Sequence, residues 1–371
     1  MDGPRTISVC QDEVVEDLKR RKPSMERVIR IGMDTSKHVF QLHGVNAAEE
    51  PVLRKTLRRK ELIKFFEKLP PTVIGIEACG GAHYWGRLLQ SFGHDVKLLP
   101  PQYVKPYVKR SKNDASDAEA LCEAMSRPTM RFVPVKTADQ QAALMLVGLR
   151  ERLIRYRTQL ANAIRSYAAE FGLSAAQGVC RIEPLLDRIA TDKSLPALAR
   201  DLLAVQGKEY AQLQTQLEGV EARLLAWHRA DSCSRRLAQI PGVGPIGASM
   251  LVMKTPAPDR FRSARHFAAW LGLVPRQFST GGKTRLGRIT KTGNREIRKL
   301  LVLGATSMVY RAPQWNSVVG AWTRGVLERR PVRLVTVALA NKMARIAWAL
   351  MTRKEVYRAT GRVAAATEAA A

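Results

Sequence analysis

Between Arg27 and Leu99 the apolar residues come in short bursts separated by turn formers. Arg27-Val-Ile-Arg-Ile-Gly-Met-Asp34 reads as a strand, Thr35-Ser-Lys37 as a turn, and Val39-Phe-Gln-Leu-His-Gly-Val45 as a second strand that closes a hairpin. Residues 51–57 alternate and predict a third strand. The period then lengthens: Leu62, Phe65, Phe66 and Leu69 share one face of a helix over 59–69. Residues 72–77 read as a short buried strand stopped by Gly80-Gly81. A helix over 83–92, a strand over 94–99 closed by Pro100-Pro101, and a helix over 114–125 complete this part.

From residue 137 the pattern changes. Residues 139–171 place Leu144, Leu149, Leu153, Tyr156, Leu160, Ile164 and Tyr167 near heptad spacing, and residues 197–227 repeat the pattern. Two long helices joined by a mixed connector over 172–196 suit an antiparallel hairpin or an intermolecular coiled coil. Dimerisation is the expectation, because such an arm exposes an apolar seam unless it is paired. The alternative is a two-helix arm packed within one subunit. Ile240-Pro-Gly-Val-Gly244 lies between two helices. It resembles the turn of a helix-hairpin-helix module, in which glycines let backbone amides approach phosphate; Gly242 and Gly244 are its candidate contacts. An ordinary helix–helix turn is the plainer reading. Helices are expected over 261–271, 294–311 and 331–357. The division that follows is a tail at 1–24, an α/β domain at 25–137, a helical arm at 138–232, a C-terminal domain at 233–358 and a disordered tail at 359–371.

Composition adds a partner class. The 371 residues hold 61 Lys and Arg against 33 Asp and Glu, a net charge of +28 spread along the chain. Such an excess fits nucleic acid, since neutralised phosphates supply most non-specific affinity. No apolar run reads as long enough to span a membrane, and no signal-peptide core precedes residue 24. The five cysteines lack metal-binding spacing, which fits a reducing cytosol.

Chemistry enters through the acids. The order β-β-β-α-β-α-β-α is that of ribonuclease H-like domains. Asp34 ends the first strand and Glu77 the fourth, and Asp114 and Asp117 share one face at the start of the last helix, over 114–125. Asn113 or Asp114 is positioned to cap that helix. Each acid alone reads as a cap or surface residue. Together they are a costly cluster unless a cation joins them, and all-oxygen donors suit Mg²⁺. A second feature is residues 272–294, a stretch without acids that reads as a flexible cationic loop. It contains a single serine, Ser279, then Thr280, Gly281-Gly282, Lys283, Arg285, Arg288 and Lys291.

These motifs resemble one family. Ile31-Gly-Met-Asp34-Thr-Ser-Lys, Glu77-Ala-Cys-Gly-Gly, Lys112-Asn-Asp114-Ala-Ser-Asp117-Ala, Ile240-Pro-Gly-Val-Gly, Gly272-Leu-Val-Pro-Arg, Ser279-Thr-Gly-Gly-Lys and Gly287-Arg-Ile-Thr-Lys-Thr-Gly-Asn294 stand in the order found in insertion-sequence transposases of the IS-one-ten family, with its IS-eleven-eleven branch. The resemblance covers about residues 28–350 and implies a RuvC-like domain that binds Mg²⁺ through Asp34, Glu77, Asp114 and Asp117. It also implies a nucleophilic serine, here Ser279, acting on donor and target DNA through a 5′-phosphoserine intermediate. Further implications are a structured guide (bridge) RNA, and dimers that assemble into a tetrameric synapse in which the acids and the serine come from different subunits. Lys283, Arg285, Arg288 and Lys291 are candidate phosphate contacts. The competing readings are a RuvC-like, Mg²⁺-dependent nuclease or junction resolvase that uses water, and a non-enzymatic nucleic-acid scaffold.

Overall fold

The structure is a computed structural model that describes residues 27–109 and 113–358. The tails expected at 1–24 and 359–371, and Lys112 of the third motif, lie outside the described residues. The chain divides into two compact units, Met1–Thr137 and Ala138–Ala371.

The first unit runs β1 (Arg30–Thr35), β2 (Val39–Val45), β3 (Pro51–Arg58), α1 (Arg59–Lys68), β4 (Val73–Glu77), α2 (Ala82–Ser91), β5 (Asp95–Leu99), α3 (Pro101–Val104) and α4 (Asp114–Ala124). These strands form a five-stranded sheet of order β3-β2-β1-β4-β5. β1 pairs antiparallel with β2, and β2 with β3; β1 pairs parallel with β4, and β4 with β5. Side-chain alternation sorts the two faces. Ile31, Met33, Phe40, Leu42, Ile74 and Ile76 enter one core with Leu62 and Phe66 of α1 and with Trp85 and Leu89 of α2.

The other face carries two glycines that are neighbours across the β1–β4 ladder, Gly32 and Gly75. Helix α4 lies directly on them. A Cβ at Gly32 would stand 2.1 Å from the Ala118 carbonyl oxygen, and one at Gly75 would stand 2.6 Å from Cε of Met125. Glycine is what lets the helix backbone approach the strand so closely. Asn113, with its side chain accepting from the Ser116 amide at 2.8 Å, caps α4.

The second unit is mainly helical: α5 (Ala138–Ala169), α6 (Ile182–Thr191), α7 (Ala197–Ala230), α8 (Ser232–Leu237), α9 (Pro245–Lys254), α10 (Ala264–Trp270), β6 (Pro275–Gln277), β7 (Leu286–Ile289), α11 (Arg295–Tyr310), α12 (Val318–Leu327) and α13 (Val332–Arg353). The two long helices, α5 and α7, pack along each other, tied by Arg150–Glu221 at 2.6 Å and Arg157–Gln214 at 2.8 Å. At one end, Val147, Leu153, Leu217, Val220 and Leu224 share a core with Met250 and Met253 of α9. A second cluster holds Ile182, Leu185 and Ile189 against Ala161, Ile164, Leu203 and Tyr210. The segment read as a mixed connector therefore contains a helix, α6, whose apolar spacing is helical but only ten residues long. Not all of the seam is covered: Leu198, Leu202 and Val205 are exposed.

Two further expectations are corrected. The stretch read as a flexible cationic loop is a β-hairpin, β6–β7. The absence of any span-length apolar segment also fails: Val332–Arg353 is long and apolar enough to cross a membrane by length and composition. In this fold its apolar positions Val335, Leu339, Met343, Ala347 and Leu350 build the core with α10 and α11.

Candidate functional site

The four acids collect on one side of the sheet. Asp34 lies two residues beyond Gly32 on β1 and so faces α4, whose first turn carries Asp114 and Asp117. Glu77 ends β4 two residues beyond Gly75, on the same face. Asp34 is half-buried, and its pKa is pushed up to about 6. Burial is the main cause, followed by repulsion from Asp114, from Asp117 and, more weakly, from Glu77; a hydrogen bond from the Thr35 backbone opposes the rise. The carboxylates therefore share one electrostatic field. Among the described residues no group of three or more His, Cys, Asp or Glu is drawn together as a ligand set. The donor chemistry nevertheless fits a hard divalent cation: only carboxylate oxygens, with mutual repulsion centred on a half-buried group.

The hairpin gives Ser279 a defined setting. Gly281 and Gly282 have φ of 53° and 78°. Positive φ at both central residues is what a tight two-residue hairpin turn requires. Thr280 and Lys283 pair across this turn, with the Lys283 amide donating to the Thr280 carbonyl at 3.0 Å. Ser279 stands one residue before the turn and is exposed. Its Oγ accepts from Gln277 Nε2 at 2.9 Å and from the Arg285 amide at 3.3 Å.

The base of the hairpin is rigidly tied. The Thr290 amide donates to Val274 O at 2.9 Å and the Lys291 amide to Gly272 O at 3.2 Å. Gly293, at φ 69°, fits so closely that a Cβ would stand 1.7 Å from Trp270 O. Asn294 then caps α11.

The cations expected to meet phosphate are accessible. Lys283, Arg285, Arg288 and Lys291 are all exposed, and among the described residues no acid forms an ion pair with them. Gly244 precedes α9 with open space where a Cβ would point. Gly242 has a packing reason to be glycine as well: its φ is 84°, and a Cβ would stand 2.8 Å from Gly304 O on α11. The structure thus places the four acids on one side of the sheet in the first unit. It gathers Ser279, Lys283, Arg285 and Arg288 on one hairpin of the second, with Lys291 just past its end and Gly242 and Gly244 in the separate α8–α9 turn.

Sequence reasoning missed Gln277. Its position two residues before Ser279 was the available signal, because residues i and i+2 of a strand share a face. Reading the stretch as a loop hid that periodicity.

Comparison with known proteins gives these features a family. Residues 234–319 match the family described as Transposase IS116/IS110/IS902, and residues 31–171 match the DEDD transposase model of IS110 elements. The y4pF/y4sB protein of Sinorhizobium fredii is 64% identical over 96% of this chain and 93% of its own length. The transposase for insertion sequence element IS1328 of Yersinia enterocolitica is 39% identical over 90% of this chain and 99% of its own. For the transposase of IS1111A of Coxiella burnetii the figures are 37%, 96% and 99%. With both matched regions containing the motifs that carry the acids and the serine, the chain belongs to the IS110 family of insertion-sequence transposases.

Proposed function

We propose that this transposase is an RNA-guided, site-specific DNA recombinase in which Ser279 is the nucleophile and Asp34, Glu77, Asp114 and Asp117 hold Mg²⁺. The observation that carries the serine assignment is the exposed Ser279 Oγ, which accepts two hydrogen bonds on a hairpin edged by exposed cations. A hydroxyl that already accepts from two donors has its own proton free to leave, and those donors favour the alkoxide. Thr280 is engaged in the turn itself, which favours the preceding residue as the attacking group. The strand order β3-β2-β1-β4-β5 and the position of the acids on the α4 face support a ribonuclease H-like reading of the first unit.

In this reaction Ser279 Oγ attacks the scissile phosphorus. The bond from phosphorus to the 3′ oxygen breaks, leaving a 3′-hydroxyl on one DNA end and a 5′-phosphate esterified to Ser279 on the other. The serine proton ends on the departing 3′ oxygen. A 3′-hydroxyl of the partner duplex then attacks the phosphoserine, rejoins the strand and returns the proton to Ser279. Lys283, Arg285 and Arg288 clamp the neighbouring phosphates. Bound Mg²⁺ would offset charge on the phosphate and ease deprotonation of the hydroxyl. The guide RNA, the division of the chain into arm and C-terminal domain, a coiled-coil dimer and a tetrameric synapse follow the family resemblance, and the +28 charge fits a protein that holds both RNA and DNA.

The test uses the full chain with its co-purifying nucleic acid, Mg²⁺, and a plasmid carrying the gene's own insertion element with its flanking DNA. The expected result is a denaturant-resistant protein–DNA adduct that maps to Ser279 and is absent in Ser279→Ala. Sequencing of the co-purifying nucleic acid should return one structured RNA encoded within the element. Strand exchange at the wild-type rate in Ser279→Ala overturns the serine assignment. Cleavage without an adduct would favour the water-using nuclease.

A further inference from the structure

We infer that Gln277 is a positioning residue for Ser279, and that its side-chain amide and the Arg285 backbone N–H form a two-donor cradle for the developing alkoxide. The inference rests on the serine reading above and specifies how that site works.

The hairpin register produces the cradle. Gln277 ends β6 and Ser279 follows two residues later, just before the turn, where Gln277 Nε2 reaches Ser279 Oγ at 2.9 Å. On the opposite strand Gln277 pairs with Leu286, and the Phe278 amide donates to Arg285 O at 2.8 Å. That pairing turns the Arg285 amide toward Ser279 Oγ, at 3.3 Å. One donor is thus fixed by the backbone and cannot be removed by a side-chain change. The other depends on Gln277 alone.

The chemistry follows from what each group can do. An uncharged amide donates without adding charge of its own, so its bond to Oγ strengthens as negative charge builds there on deprotonation, and again when Oγ departs in the rejoining step. The same bond selects one rotamer of a serine that is otherwise exposed and free to turn. Gln277 is itself exposed, so its replacement leaves the hydrophobic core untouched. Gln277 thereby acts on the rate of attack and not on DNA affinity.

The experiment measures single-turnover adduct formation by the full chain, with its co-purifying nucleic acid and Mg²⁺, on a DNA fragment spanning one end of the gene's own insertion element and its flank. Gln277→Met removes the donor at nearly constant shape. It should slow the rate at saturating DNA by about a hundred- to a thousandfold, a loss of the kind seen when one preorganised donor is deleted. The DNA concentration giving half the maximal rate should stay unchanged. Gln277→Glu places an acceptor and a negative charge beside Oγ and should be slower still. Gln277→His restores an N–H and should recover part of the rate. A wild-type rate in Gln277→Met, equal losses in all three variants, or a loss confined to the half-saturating concentration overturns the inference. Ser279→Ala is run alongside. An adduct in Ser279→Ala defeats the serine reading itself, whereas a silent Ser279→Ala with a fully active Gln277→Met removes only Gln277.

Discussion

Asp34 shows a single residue held at a cost to stability. Its carboxyl is raised to about 6 by burial and by three neighbouring acids. The folded state therefore binds this proton more tightly than the unfolded chain, whose aspartate titrates near 3.8. Ionised Asp34 destabilises the fold above about pH 6, and the penalty fades as pH falls through that value toward about pH 4. Asp34→Asn should accordingly raise the thermal midpoint of metal-free protein near pH 8, by an amount worth on the order of 1–2 kcal/mol once the partial exposure of the group is discounted. The gain should shrink to nothing near pH 4, and thermal unfolding of both proteins across that range checks it. Added Mg²⁺ should raise the midpoint of the wild type by mass action and leave Asp34→Asn nearly unmoved. Equal midpoints for the two proteins at every pH would falsify the electrostatic account, and equal Mg²⁺ responses would remove Asp34 from the proposed metal site. A substitution that stabilises the fold while abolishing adduct formation is the behaviour expected of a functional acid.

At the level of elements, glycines decide where the chemistry sits. Helix α4 carries Asp114 and Asp117, and its backbone closes on the sheet because Gly32 has no side chain to hold it off. Gly32→Ala sets a methyl group 2.1 Å from Ala118 O, so the helix must shift or the strand must bend. The expected cost is about 1–3 kcal/mol or more, read as a lower denaturation midpoint, together with loss of activity as the acids move off Asp34. Gly219 on α7 is the control. Its Cβ would meet nothing within 4 Å, so Gly219→Ala should stabilise the protein by about 0.5–1 kcal/mol through helix propensity alone. A second device is Gly293, where φ is 69° and a Cβ would stand 1.7 Å from Trp270 O. Gly293→Ala should loosen the base of the hairpin, detected as faster amide exchange at Thr290 and Lys291, and should slow attack by Ser279. These elements also show what the sequence reveals. The strands of the first unit were legible because period-two alternation over Ile31, Met33, Phe40 and Leu42 admits no other fit. The four acids were legible as a set because Asp34 and Glu77 close two strands, and Asp114 and Asp117 open a helix, in the order of one fold. The hairpin was not legible: its strands are only three and four residues long and mostly exposed, and Leu286 and Ile289 stand three apart, which breaks a period of two. Gln277 was lost with it. α6 was masked in another way, by a span too short for heptad reading and by Pro184 inside its first turn, where proline is tolerated.

The whole molecule carries a net charge of +28, and this excess sets how it meets nucleic acid. If sequence choice resides in RNA pairing, protein contacts to DNA are contacts to phosphate, and they should look alike on any sequence. Lys283, Arg285 and Arg288 are exposed, and among the described residues no acid pairs with them, so each is free to displace a condensed counterion. The logarithm of the binding constant should fall linearly with the logarithm of salt concentration. Each of Lys283→Gln, Arg285→Gln and Arg288→Gln should reduce that slope by about 0.9, the share of one neutralised phosphate. The loss should be equal on a duplex from the element's end and on a scrambled duplex. Fluorescence anisotropy with both duplexes, over about 50 to 200 mM salt, makes the measurement. A loss restricted to the element's own end would mean that these side chains read bases, and specificity would then belong to the protein. An unchanged slope would place the hairpin away from the phosphates. In that case the cradle around Ser279 Oγ could not be delivered to a scissile bond, so this equilibrium measurement also tests the catalytic assignment.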